Sequence, residues 1–188
     1  EIDLSNDFRR VTMEEAFIEH AGFSILEHLD PTLLQSKLDE LGMHHHSSDT
    51  WDDLFHRVFL EKVEPALLKD PSPLFLTHYP HPLAALARRA PHDPRVSERF
   101  ELYVAGIELA NGFGELTCPK EQRQRFEADR AWRIGQGMHD YPMDERFFDA
   151  LEKLPPSAGI ALGVDRLMML LLNAQNIKEI SLIPWEEA

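Results

Sequence analysis

The residues best suited to chemistry lie in two stretches, an acidic hairpin and a glycine-spaced strand late in the chain. The hairpin reads RFELYVAGIELANGFGEL, Arg99 to Leu116, folded about Ala105-Gly106. Successive strand residues alternate between faces. Phe100, Leu102 and Val104 therefore make one face apolar, and Glu101 and Tyr103 fall on the other. On the return strand Asn111, Phe113 and Glu115 share one parity. Glu108 is out of step with them and needs a bulge or a strong twist to come alongside, for which Gly112 and Gly114 offer a place. Like charges across a ladder are destabilising. Two carboxylates kept together, Glu101 and Glu108, thus point to a bound cation such as Mg²⁺, which takes one or two carboxylates and fills its shell with phosphate oxygens and water. The plain alternative is a pair of solvated glutamates. Asn111, Phe113 and Glu115 suit an amphiphilic cation, with Glu115 for an ammonium, Phe113 for an alkyl stem and Asn111 for a carboxylate.

The second stretch is GIALGVDRLMMLLL, residues 159 to 172. Gly159, Ala161 and Gly163 occupy every second position, so one strand face is nearly bare backbone and a flat ligand can lie against it. Asp165 and Arg166 follow, and Leu167 to Leu172 reads as a buried helix. Arg166 then sits at a strand-to-helix junction, well placed to grip a phosphate. The plain alternative is an ordinary ion pair.

The elements that must position these residues fall into two parts. Residues 1–70 read as a helical region. Thr12 and Glu15 have capping-box spacing, Asp30-Pro31 opens a second helix that Gly42 ends, and Thr50 or Ser48 caps a third. Trp51, Leu54, Phe55, Val58, Phe59 and Val63 share a face of that third helix. His44-His45-His46 lies in the loop before it; a solvated loop explains it better than a metal site, because consecutive histidines do not converge on one ion. Pro71-Ser72-Pro73 marks a boundary, and 71–188 is the second part. It holds a strand at Leu74–Tyr79, an irregular stretch with a Pro-rich loop to Pro94, the hairpin, helices at Pro119–Gly135 and Asp144–Leu154, and the glycine-spaced strand with its helix. Arg123, Arg125 and Arg130 are expected on a solvated helix surface. The mixture without a repeating βαβ rhythm predicts an α+β fold with an antiparallel sheet.

Composition narrows the function. A net charge of −14 over 188 residues excludes a free-standing nucleic-acid-binding module, yet leaves room for a nucleotide site. The single Cys118 makes no internal disulfide, which fits a reducing cytoplasm. Residues 1–10 do not read as a signal peptide, and no apolar run approaches the roughly 20 residues of a membrane span. The chain begins at Glu1, and a piece of a longer protein is expected.

GIELANGFGEL followed by GIALGVDRLMMLL resembles the last part of a class II aminoacyl-tRNA synthetase catalytic domain of the lysyl type, the second stretch resembling the third signature motif. The similarity runs from Leu74 through LFLTHYP, LARR and RFELYVAGIELANGF. GIELANGF and Ala161 bring it nearer to the elongation factor P (R)-β-lysine ligases, a lysyl-tRNA synthetase paralogue, whereas LARR is nearer to the synthetases themselves. This resemblance implies ATP and Mg²⁺. Glu101 and Glu108 would hold the metal and the ATP phosphates, Arg166 would be the catalytic arginine on the γ-phosphate, and Gly163 would border ATP. Asn111, Phe113, Glu115, Gly159 and Ala161 would line the lysine pocket, and Asp165 would be a structural partner. It implies adenylate formation, then transfer of lysine or β-lysine to elongation factor P, with tRNA-Lys as the alternative acceptor. It further implies a cytoplasmic parent homodimer with no membrane association. The family's first and second motifs are not in this sequence, and residues 1–70 resemble its variable helical insertion. The expectation is a C-terminal fragment with half an active site, inactive alone. Other readings are a non-catalytic amino-acid or nucleotide sensor and a helical interaction module with a histidine metal loop.

Overall fold

A computed structural model describes residues 4, 5 and 7–181. Part of the polar opening stretch and the last residues of the 71–188 division lie outside the described residues. The chain opens with β1 (Arg9–Thr12), α1 (Met13–Ala21), α2 (Pro31–Glu40), α3 (Trp51–Val58), a π-helical turn (Phe59–Val63) and a short α4 (Glu64–Leu67). Next come β2 (Leu74–Thr77), a 3₁₀ turn (His81–Leu83), and a small hairpin of β3 (Arg89–Ala90) and β4 (Asp93–Ser97). The main hairpin is β5 (Arg99–Val104) and β6 (Ile107–Gly114), followed by α5 (Pro119–Gly135) and α6 (Glu145–Leu151). After these come β7 (Ala158–Leu162) and α7 (Val164–Leu172).

The helix starts follow from local chemistry. Thr12 accepts from Glu15 N at 3.1 Å, and Glu15 returns the bond from Thr12 N at 2.8 Å. Thr50 and Asp53 repeat the reciprocal cap on α3. Asp30 caps α2 with Pro31 at its first turn. Each arrangement satisfies amide groups that a helix end leaves unpaired.

The five-stranded sheet has the order β1-β2-β5-β6-β7, antiparallel throughout except that β1 runs parallel to β2. Residues 1–70 are therefore not helical from the start, because Arg9–Thr12 joins the sheet. A parallel pair needs a long crossover, and α1 to α4 supply it. The crossover lays those helices on the sheet face that carries Leu74 and Leu76. Met13, Phe17, Ile25, Leu34, Leu38, Leu54, Phe55 and Val63 share one buried core with Leu74, Leu76 and Tyr103. Phe55 is its hub, stacked on Phe17, Trp51 and Phe59 with ring centroids 5.1, 5.3 and 5.7 Å away.

Three expectations are corrected here. No residue of α7 is fully buried, although Leu167–Leu172 reads as a buried helix; Leu167, Met169 and Leu170 are only partly covered, and Met168, Leu171 and Leu172 are exposed. Arg125 is not on a solvated surface: its Nη1 donates to Ala85 O at 2.7 Å and Ala87 O at 2.9 Å, and its Nη2 to Glu121 at 2.7 Å. Those bonds satisfy carbonyls of the loop that the sequence leaves irregular. The Pro-rich segment before Pro94 is likewise partly ordered, as β3 and β4. No helix among the described residues is long and apolar enough to cross a membrane.

Two measurements check this packing. Phe55→Ala should lower the stability of the chain by about 3–5 kcal/mol in a denaturant titration, whereas Leu60→Ala, at an exposed position, should stay within about 0.5 kcal/mol. His81 provides a pH signature. Burial, then the charges of Arg89 and Arg125, push its pKa from 6.5 down to about 4. The unfolded chain thus binds the proton more readily, so the contribution of His81 is complete above pH 6.5 and lost as the pH falls toward 4. His81→Gln should flatten the pH dependence of the unfolding midpoint across that window.

Candidate active site

The site is organised by the register of three adjacent strands. Glu101 lies opposite Asn111, and Arg99 opposite Phe113. On the next strand Asn111 lies opposite Ala161, and Phe113 opposite Gly159. Residues directly opposite point to the same face, so Arg99, Glu101, Asn111, Phe113, Gly159 and Ala161 share one face. An unbroken ladder would set Glu108 against Val104, on the other face. The register instead shifts between Leu102 and Tyr103, with Leu109 as the extra residue, and Glu108 pairs with Tyr103. A bulge of one residue turns every later side chain over, and here it puts Glu108 beside Glu101.

The bulge is the one that the spacing demands, but it falls at Leu109 rather than at a glycine. Gly112 is needed for packing instead. A Cβ on Gly112 would lie 2.6 Å from the Phe100 ring and 3.1 Å from Gly159 O. A Cβ on Gly114 would lie 2.5 Å from Glu98 Oε2. Leu109 O accepts from Gly163 N at 2.8 Å, which ties the bulge to the start of α7.

Glu101 is 9% exposed and held on both oxygens. Arg99 Nη2 donates to Oε1 at 2.9 Å, the Tyr103 hydroxyl donates to Oε2 at 2.7 Å, and Asn111 Nδ2 reaches Oε1 at 3.5 Å. Arg99 also donates to Leu83 O at 2.8 Å and lies over the Tyr79 ring. Burial, followed by the charge of Glu101, pushes the Tyr103 hydroxyl far above its ordinary value, so it stays a donor. Asn111 Oδ1 is buried without a partner. A cleft of about 500 Å³ opens here between α3 and the sheet, lined by Phe55, Phe59, Tyr79, Arg99 and Glu101.

Arg166 Nη1 donates to Glu108 O at 2.7 Å and approaches Glu108 Oε2 at 3.4 Å, on a half-exposed side chain. The ion pair named above as the plain alternative is thus present in this structure, and it sets the arginine beside the acidic pair. Gly163 caps α7, and a Cβ there would crowd Arg166 Cδ at 3.3 Å. Glu115 follows β6 and lies over Gly159, where a Cβ would meet Glu115 Oε1 at 2.8 Å. Asp165 is exposed in the first turn of α7.

The donor set can be tested against a cation. Among the described residues no three His, Cys, Asp or Glu side chains form a ready-made metal cage. Two carboxylates on one face beside an orphaned amide oxygen suit an ion that keeps most of its water, as Mg²⁺ does. In the His44–His46 run, His44 packs edge-on against His46, and His45 Nε2 lies 3.0 Å from Asp39.

The sequence pattern did not single out Arg99 or Tyr79, which the structure brings to this site. Arg99 carried a signal, because it stands two residues from Glu101 on the same strand face; Tyr79 carried none, because β2 ends at Thr77 and strand parity does not reach it.

The family model for class II tRNA synthetases (D, K and N) matches residues 1–187. The elongation factor P (R)-β-lysine ligase of Hamiltonella defensa subsp. Acyrthosiphon pisum is 42% identical over 181 residues, covering 95% of this chain and 55% of the relative. That of Edwardsiella ictaluri is 43% identical over 174 residues, covering 90% and 53%. The lysine–tRNA ligase of Pelotomaculum thermopropionicum is 36% identical over 187 residues, covering 98% and 36%. The chain thus spans about half the length of the curated (R)-β-lysine ligases it matches.

Two glycines of these strands, Gly112 on the face of Phe100 and Gly159 on the floor of the site, give a direct check. Gly112→Ala meets a ring and a backbone oxygen and should destabilise the chain by about 1–3 kcal/mol. Gly159→Ala meets only the tip of a flexible side chain and should cost under about 0.5 kcal/mol. Paired denaturant titrations read both.

Proposed function

We propose, for a chain that belongs to the class II tRNA synthetases (D, K and N), that its parent protein is an ATP-dependent ligase that activates lysine or β-lysine and transfers it to a lysine of elongation factor P. The observation that carries this reading is the convergence of Glu101, Glu108, Asn111, Phe113 and Glu115 on one face, over the small-residue floor of Gly159 and Ala161, with Arg166 at its edge. The names of the (R)-β-lysine ligases, 42% and 43% identical, favour elongation factor P as acceptor over tRNA.

In this reading the amino acid lies across β6 and β7. Glu115 takes its side-chain ammonium, Phe113 flanks its alkyl stem, and Asn111 contacts its head. Ala161 narrows the floor by a methyl and so helps choose the lysine isomer. The amino-acid carboxylate attacks the α-phosphorus of ATP; the bond to the β-phosphate oxygen breaks and pyrophosphate leaves. The acceptor amine then attacks the carbonyl carbon of the adenylate, AMP departs, and the amine loses a proton to solvent. Glu101 and Glu108 would hold Mg²⁺, which would neutralise phosphate charge when bound. Arg166 keeps its bond to Glu108 O while its guanidinium turns from the carboxylate to the γ-phosphate. No side chain acts as nucleophile: positioning and charge stabilisation supply the rate.

We further propose that this chain carries only part of the site and is inactive alone. The exposed strand β7 and α7, none of whose residues is fully buried, support that reading.

ATP–pyrophosphate exchange tests the proposal. The parent protein should exchange in the presence of lysine or (R)-β-lysine, and Arg166→Ala should lower the rate about 10²–10³-fold. Labelled substrate should pass to elongation factor P. Passage to tRNA instead would make the parent a lysyl-tRNA synthetase. Exchange by the 188-residue chain alone would refute the partial-site reading, and a parent protein without exchange would refute the ligase.

A further inference from the structure

A second cavity, of about 510 Å³, opens between the loop after β2 and α5. Pro82, Leu86 and Phe126 give it apolar walls, and His81, Gln122 and Arg125 give it polar groups. Gln122 is 1% exposed, yet its Nε2 has no partner. Arg125 uses its Nη1 on Ala85 O and Ala87 O and its Nη2 on Glu121, while its Nε is buried without a partner. His81 Nδ1 is in the same condition. Among the described residues six buried side-chain atoms lack a partner. Two of them, on Tyr79 and Asn111, belong to the candidate active site, and three belong to residues of this cavity. Helical spacing explains the grouping, since Gln122, Arg125 and Phe126 stand three and four positions apart on α5.

A buried polar group without a partner is costly. Here the missing partner is an acceptor. The Gln122 amide nitrogen and the Arg125 Nε–H can only donate, and His81, which burial keeps neutral at physiological pH, brings no charge. Two guanidinium groups share Glu121, Arg125 at 2.7 Å and Arg89 at 3.3 Å, so the charge beside the cavity leans positive. Asp129 also lines the cavity, but it is exposed and water screens it. A planar carboxylate accepts from two donors at once. The volume falls within the range of small-molecule pockets, about 300–1,000 Å³, and the walls suit an apolar stem. Pro82 and Ala85 line the cleft beside Glu101 as well, so their loop is a wall common to both cavities. Arg125 fixes that wall, because its bond to Ala85 O holds an alanine at φ 48°, a left-handed value that costs a residue with a Cβ.

We propose that this cavity binds a small monocarboxylate with an apolar stem, the carboxylate on Gln122 Nε2 and Arg125 Nε and the stem against Leu86 and Phe126. Gln122 selects the oxygen acceptor, Arg125 supplies the charge, and the apolar walls set the size of the stem. None of these residues belongs to the acidic pair, the lysine pocket or the phosphate-binding arginine of the proposed function, so the two readings stand or fall separately.

Calorimetric titration of the full-length protein with phenylacetate tests this. Phenylacetate should bind with a Kd of about 1 mM or tighter, and its neutral counterpart phenylacetamide about 10-fold or more weakly, because the charged acceptor makes the stronger bonds. Gln122→Met keeps the length of the side chain and removes the donor. It should weaken phenylacetate about 10-fold or more, with an unfolding midpoint equal to or above that of the wild type, since an unpartnered buried amide is removed. If phenylacetate and phenylacetamide bind alike, the site does not read a carboxylate and the proposal fails. If Gln122→Met binds phenylacetate as the wild type does, the ligand sits elsewhere and the proposal fails. If Gln122→Met loses stability and binding together, the amide is a structural group and the proposal fails. Inorganic phosphate binding where phenylacetate does not would make this an anion site with no use for its apolar walls, which overturns it too. A full-length protein that binds no phenylacetate overturns it outright, and ATP–pyrophosphate exchange then still decides the ligase reading.

Discussion

A single extra residue in β6 decides which face of the sheet carries charge. With Leu109 bulged out, Glu108 stands with Glu101, Asn111 and Phe113 over the glycine floor. Without it, Glu108 would join the face of Phe100 and Leu102, away from Glu101, where Phe100 fills the space above Gly112. The bulge is itself held from the next element, through Gly163 N to Leu109 O. The strand-to-helix junction that aims Arg166 is therefore the same junction that sets the register of the acidic hairpin. Charge, floor and guanidinium are placed by one set of backbone bonds.

The helical layer supplies the other half of the arrangement. Its crossover from β1 to β2 covers the part of the face next to β5 and leaves the part over β6 and β7 open. Glu101 lies at that border. It is desolvated from one side by the core and reaches the cleft on the other, and Arg99, Tyr103 and Asn111 satisfy its oxygens. A charged group at such a border is tolerable because its hydrogen bonds are complete. The order in the site is thus borrowed from a core built largely by residues far away in sequence.

What was legible in the sequence is what local spacing controls. The caps at Thr12, Asp30 and Thr50 need only neighbours three residues away, and all three form. Strand parity likewise placed Asn111 and Phe113 on one face and demanded a bulge for Glu108. The position of that bulge was not legible, because Gly112 and Gly114 signal flexibility and not which contact uses it. β1 was missed because RRVT is four residues long and finds its partner only some sixty residues later. Arg125 reads as a solvated helix residue until the carbonyls of a distant loop are brought to it. α7 reads as buried because hydrophobicity reports a tendency to be covered, and the cover is a matter of what else is present. The family was legible because its motifs are ordered matches along the chain.

The bare edge at β7 and α7 bears on how this molecule behaves in concentrated solution. Ile160 is 62% exposed and Leu171 69%, and among the described residues β7 pairs along only one side. An unpaired strand beside an apolar helix is a template for contact between copies. Opposing it is a net charge of −14, which keeps molecules apart by mutual repulsion. The two act over different ranges. The apolar contact works at touching distance and strengthens with kosmotropic salts, while the repulsion reaches only about 8 Å at physiological ionic strength. Colloidal stability of the isolated chain is therefore a property of the buffer as much as of the fold, greatest in dilute electrolyte and away from its isoelectric point near pH 5.1.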